Sequence, residues 1–253
     1  MRAGNYNFYH NLGYWFIFSI VLIVGGFFQT YFSVFTQLKN PVIHTHFALM
    51  VLWVSLFIIQ PFLVKYKKTS LHRRIGRVSY ILMPLVALSA FLMMRHGYFT
   101  FTAYLEQQNL NGLATYSSAE ILHEAARNNA LPFVYWFWLL LFYSLAIIHR
   151  RRSSIHARYM LATGLTILGP TVDRILFFIF KMKALPFNIP LESFAFILAD
   201  SILLILLWQD IRHKRNLKPL LTSLAGYGIV QILYFRCRDS MLWEGFMTWM
   251  MRG

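Results

Sequence analysis

Runs of apolar residues about 20 long recur along the chain, separated by short polar or basic stretches. About 20 residues at 1.5 Å rise cross the ~30 Å of hydrocarbon in a bilayer. The pattern predicts spans at 12–36, 42–64, 74–95, 131–149, 156–180 and 190–211. Leu12–Phe35 is too long and too aromatic for a cleavable signal and reads as the first span. A weaker stretch, 219–235, carries Ser223, Gly226, Gly228 and Gln231 and reads as either a short seventh span or a helix on the membrane surface. The tail from Met241, with Trp243, Phe246 and Trp249, suits an interfacial segment. The predicted fold is an all-α polytopic bundle in one membrane domain, 1–253. It has a four-helix core at 42–180, peripheral spans 12–36 and 190–211, and a C-terminal part 219–253.

Composition agrees with this. The 253 residues are 58% hydrophobic and only 13% charged, against about 25% charged in a soluble domain. Lys and Arg number 24 against 9 acids, and 14 of the 24 fall in three short loops. These are Lys65, Lys67, Lys68, Arg73, Arg74 and Arg77; Arg150, Arg151, Arg152 and Arg158; and Arg212, Lys214, Arg215 and Lys218. They follow spans two, four and six, which places the N-terminus in the cytoplasm and suits contact with anionic headgroups rather than nucleic acid. The expected location is a multi-pass position in a bacterial inner membrane. A single cysteine, Cys237, excludes an internal disulfide.

The longest stretch outside the membrane is 96–130. Ser117 lies three residues before Glu120, the spacing of a capping box, and Glu120, His123 and Glu124 then share one helix face. The motif Tyr135-Trp136-Phe137-Trp138 reads first as an interfacial belt and second as a cofactor wall.

Histidines at span ends carry the candidate chemistry. His72 and His156 open spans three and five at the cytoplasmic level, while His44, His46 and His123 lie at the outer level. Imidazoles at one level on different helices suit haem iron or a metal. Interfacial histidines bonded to water or headgroups give the same pattern, and His10, His149 and His213 read that way. Asp173 and Arg174 lie roughly 25 Å along span five, the level of His46. Asp173 could orient the His46 ring, and Arg174 could hold a haem propionate or a quinone oxygen, or pair with Glu192. Pro170 predicts a bend one turn earlier. Asp200, near mid-membrane, reads as a buried neutral carboxyl or part of a proton path. His44, His46, His123 and Glu120 form an alternative outer metal set.

Three blocks resemble a known family. His46-Phe-Ala-Leu-Met50 leads to Leu63-Val-Lys-Tyr66, then Leu71-His72-Arg73-Arg74-Ile75-Gly76-Arg77; His156-Ala-Arg-Tyr-Met160 follows, with Gly164 beyond it. Together, over 44–95 and 150–176, these resemble the cytochrome b561 family. They also resemble a group of bacterial predicted membrane proteins of unknown function, which share the Leu-His-Arg-x-x-Gly-Arg element and a His-x-x-x-Met helix closing on an arginine, here Arg174. The resemblance implies haem b, with a cytoplasmic-level group on His72 and His156 better supported than an outer one on His46. The chain departs from the family in span four, where Leu131–Ile148 has no histidine. The first expectation is therefore an integral membrane redox protein binding haem b and passing electrons to or from a redox partner. The alternatives are a non-enzymatic subunit or scaffold of a larger membrane complex, and a metal-dependent membrane enzyme or a transporter using Asp173 and Asp200.

Overall fold

A computed structural model describes residues 11–252, so His10 lies outside the described residues. The chain is 82% helical, with no strand among the described residues. α1 (Leu12–Phe27) continues into a π-helical turn, Phe28–Phe32. α2 (Pro41–Lys65), α3 (Thr69–Gly76) and α4 (Ser79–Leu110) follow. Then come α5 (Ser118–Asn128), α6 (Ala130–Ile148) and α7 (Ser153–Leu165). α8 (Leu168–Arg174) runs into a second π-helical turn, Ile175–Ile179. α9 (Glu192–Arg212), α10 (Lys218–Cys237) and α11 (Met241–Arg252) complete the chain. Among the described residues 7 helical stretches are long and apolar enough to cross a membrane. The weak stretch 219–235 is one of them, as the 20-residue α10, and the tail forms the separate helix α11. The protein is a multi-pass helical membrane protein.

The helices fall into two compact units. Among the described residues, the first comprises 11–90 together with Thr171–Lys183, and the second comprises Phe91–Pro170 together with 184–252. The expected core 42–180 is thus shared between them. Span five is broken where it passes from one to the other: α7 ends at Leu165, and α8 contains Pro170.

In the first unit α1 packs on α2. The start of α2 is fixed locally: the Asn40 side chain accepts from Val42 N at 3.0 Å, and Pro41 fills the first helical position, where no N–H is needed. At its other end Lys65 sits 4.5 Å above the Tyr14 ring, a cation at a helix C-terminus. Trp53, Val54 and Phe57 turn inward. Two glycines set how closely α1 approaches its neighbours. A Cβ at Gly13 would lie 2.7 Å from the Phe62 ring, and one at Gly26 would lie 2.6 Å from the backbone oxygen of Thr171.

The second unit packs α6, α7, α9 and α10 around Trp138, Phe142, Leu203 and Tyr227, all essentially inaccessible. Phe142 stacks on Tyr227 with centroids 5.0 Å apart, and Trp138 packs tilted against the same ring at 4.2 Å. The polar ends of these rings are paired: Trp138 Nε1 donates to Gly226 O at 3.2 Å, and the Tyr227 hydroxyl donates to Ala162 O at 2.8 Å. Tyr135 is also buried and Phe137 faces outward, so only part of the aromatic run 135–138 can serve as an interfacial belt. A Cβ at Gly169 would fall on the Tyr135 ring. At the other end of this unit, Met94, Tyr98, Ala125, Ala126, Met247 and Met251 join α4, α5 and α11 in a separate apolar cluster. Leu204, Ile205 and Trp208 on α9 and Ile229, Ile232 and Leu233 on α10 point outward. Such faces are costly in water and favourable in hydrocarbon.

Adjacent glycines of α1 separate packing from helix propensity. Gly26→Val should cost about 1–3 kcal/mol through overpacking against rigid backbone. Gly25 has nothing closer to a new Cβ than Ile179, at 4.0 Å. Gly25→Ala should therefore be neutral or gain up to about 1 kcal/mol from helix propensity. Thermal unfolding in detergent, followed by circular dichroism, checks both.

Candidate functional site

In the first unit, His44 and His46 occupy the opening turns of α2. Two residues apart on a helix, they are about 200° apart around the axis and cannot face one partner. His44 turns toward the end of the π-helical turn. Its Nε2 donates to Leu38 O at 2.9 Å, and its Nδ1 accepts from the Tyr31 hydroxyl at 3.1 Å. Both ring nitrogens are used, so His44 is a structural residue. His46 turns toward α4, where its Nδ1 lies 3.0 Å from Ser89 Oγ. The Ser89 hydroxyl donates to Val86 O at 2.9 Å. Ser89 therefore accepts from His46, the His46 proton is on Nδ1, and Nε2 keeps its lone pair. Ser89, rather than Asp173, is the group that orients this ring.

Arg174 lies close enough to act electrostatically on the His46 ring. Its guanidinium sits 4.6 Å above the Phe27 ring. Asp173, next to it, is half-buried. Glu192, the acid expected as a structural partner for Arg174, accepts instead from Arg238 at 2.5 Å and from Tyr234 at 2.8 Å in the second unit.

His72 lies on α3, the short basic helix between α2 and α4. The Gln60 amide, its nitrogen turned toward the ring, donates to His72 Nδ1 and, at 3.2 Å, to His72 O, and its oxygen accepts from Gly76 N at 3.0 Å. This amide staples the end of α2 to α3. It also leaves the His72 proton on Nε2, the tautomer opposite to that of His46.

In the second unit, His156 Nδ1 donates to Ala146 O at 2.9 Å. A carbonyl only accepts, so the proton is fixed on Nδ1 and Nε2 presents a lone pair. Two residues on, on nearly the opposite side of α7, Arg158 is 2% exposed, and its partner Asp210 is 0% exposed. Arg158 Nε donates to Asp210 Oδ2 at 2.5 Å, and Nη1 donates to Ser154 O at 2.7 Å and Ser154 Oγ at 2.5 Å. Arg215, part exposed, stands 3.6 Å from the other Asp210 oxygen. This buried pair ties α7 to α9 beside the basic loop. Sequence reading counted Arg158 among the loop cations and passed over Asp210. The available signal is an acid, Asp210, two residues before the third basic cluster.

At the opposite end of this unit the capping box forms as expected. Ser117 N and Oγ both donate to Glu120 Oε2 at 2.7 Å, and Glu120 N donates to Ser117 Oγ at 3.3 Å. His123 Nδ1 donates to Glu244 at 3.0 Å, joining α5 to α11. Of the outer metal set, His44 has both ring nitrogens bonded, His123 Nδ1 is on Glu244 and Glu120 is in the capping box. No group of three or more His, Cys, Asp or Glu able to hold a metal ion occurs among the described residues. Asp200 on α9 faces Gln231 and Tyr227 of α10, inside the membrane-spanning part.

The chain matches no protein-family model, no curated protein and no solved structure.

Removing one member of a buried ion pair strands the other, at a cost of about 3–5 kcal/mol, whereas replacing both with apolar groups of similar volume is often neutral. Asp210→Asn and Arg158→Met should each destabilise strongly. The double variant Arg158→Met with Asp210→Leu should recover most of the loss. Chemical unfolding in mixed micelles measures this, and a double variant no better than the singles contradicts it.

Proposed function

We propose that the protein is an integral membrane electron carrier that binds haem b, with His156 as a ligand imidazole at the cytoplasmic level of the second unit and His46 as that of a separate outer group in the first. One observation carries the reading: both rings have Nδ1–H tied to an acceptor, Ala146 O or Ser89 Oγ, which leaves Nε2 as a fixed lone pair. This is a tautomer in which Nε2 can bind iron, and an outer hydrogen bond of this kind also raises the basicity of the ligand. The donor set fits the group. Arg150, Arg151 and Arg152 precede α7, and Arg174 stands beside His46, so cations are at hand for anionic propionates. Haem, when bound, supplies a one-electron ferric–ferrous couple.

The remaining work falls to the chain. Ala146 and Ser89 hold the rings against rotation. The cytochrome b561 resemblance around His46, His72 and His156 supports the same reading. Of these three rings, His72 carries its proton where a ligand needs a lone pair, so it ranks behind the other two until the Gln60 amide turns. The membrane is a bacterial inner membrane in this proposal, with the basic loops toward the cytoplasm and their cations on anionic headgroups. Electrons pass between a cytoplasmic donor or a quinol and an outer acceptor.

The test is the absorption spectrum of protein purified in mild detergent. A Soret band and a reduced α-band are expected, weakened or shifted in His156→Ala and in His46→Ala. The bands should be unchanged in His44→Ala, whose ring is occupied on both sides. Circular dichroism confirms that each variant is helical. A colourless, haem-free preparation that stays colourless after haem is added overturns the proposal.

A further inference from the structure

The second unit holds a cavity of about 610 Å³ at the end away from the basic loops. The late turns of α4, the 111–117 loop, the start of α5 and the end of α11 form its walls. Pockets for small organic molecules run from roughly 300 to 1,000 Å³. The cavity is a built feature. Asn109 locks the loop back onto α4, donating through Nδ2 to Tyr116 O at 2.7 Å and accepting from Tyr116 N at 2.8 Å. The capping box then fixes the start of α5. Thr102, also in the lining, is buried, and its hydroxyl is spent on Phe99 O.

The charges in the wall carry the argument. Glu106 and Arg252 both line the cavity. Neither forms an ion pair with the other or with any other described residue. The rest of this end behaves differently: Glu244, Glu124, Asp239 and Glu192 each have a basic partner. Two opposite charges held apart on one concave wall are complementary to a molecule that carries both. Leu110, Ile121 and Leu122 add apolar surface to the same walls, and Tyr116 adds an aromatic ring.

We infer that this cavity is a binding site for a small zwitterion, with its ammonium toward Glu106 and its carboxylate or phosphate toward Arg252. A free amino acid with an apolar side chain has this chemistry, and so does an ethanolamine phospholipid headgroup. The site is independent of the haem proposal, and none of its residues takes part in that reading.

Calorimetric titration of the full chain in detergent tests it with two probes, L-leucine and phosphoethanolamine. At least one should bind saturably in the micromolar to millimolar range. Glu106→Gln and Arg252→Gln should each weaken binding by about tenfold or more. Glu124→Gln, outside the cavity, should leave it unchanged, with all three variants melting as the parent does. Tighter binding of leucine assigns the site to free amino acids, and tighter binding of phosphoethanolamine assigns it to lipid headgroups. Absence of binding by both probes, binding that survives both charge variants, or equal binding of isobutylamine or isovalerate overturns the inference.

Discussion

Hydrocarbon offers no hydrogen-bond partner, and the arrangement of polar side chains in this protein reflects that single deficit. A polar group left unpaired in such a medium costs several kcal/mol, so each must find its partner within the chain. The histidines are the clearest case. A ring in water rotates and exchanges its proton between nitrogens. The rings of His156, His46 and His72 are tied to a carbonyl, a hydroxyl and an amide, and the nature of that partner decides where the proton sits. Ala146 O and Ser89 Oγ accept, so His156 and His46 carry Nδ1–H. The Gln60 amide nitrogen donates, so His72 carries Nε2–H. Satisfying a desolvated ring and choosing its chemistry are one event.

The spans were readable because their signal is long. A run of about 20 apolar residues averages over local irregularity, and the expected 42–64 and 219–235 correspond to Pro41–Lys65 and Lys218–Cys237. What was missed lay in shorter periods. The third span was expected to stop at 95, yet α4 continues to Leu110. Met94, Tyr98, Thr102 and Leu105 are buried on it, at spacings of four, four and three. That is one face of an amphipathic helix leaving the membrane, polar enough to vanish in a span-length average. Glu120 was legible as half of a capping box because both partners lie within four residues. The partners of His44 and His46 were not, because Tyr31 and Ser89 are common residues with no local mark of a ring beside them. Glu106 and Arg252 become one feature only where α4 and α11 meet.

The same shortage of partners explains a charge that sequence reading treated as solvated. Arg158 looked like one more loop cation, three residues after Ile155 in a basic neighbourhood. Its guanidinium instead has fixed partners on Asp210 and Ser154, inside the protein. A buried ion pair is weak evidence of stability, since desolvating both charges consumes most of their attraction. Its clearer effect is geometric. A guanidinium bonded to two helices leaves α7 little freedom to rotate about its own axis.

His156 lies two residues before Arg158, on nearly the opposite side of α7. With Arg158 anchored on α9, the His156 ring must face α6, where the carbonyl of Ala146 is the acceptor it meets. The carbonyl can accept because it lies at the last turn of α6, where helix carbonyls have no intrahelical N–H to take. Three local facts therefore act in series: an acid buried near the end of α9, an arginine paired with it, and an unspent carbonyl at the end of α6. Together they set the rotation, the tautomer and the exposed lone pair of His156. Loss of the acid would release the ring without touching it, so the chemistry available at His156 is set in part from Asp210, a residue that never contacts it.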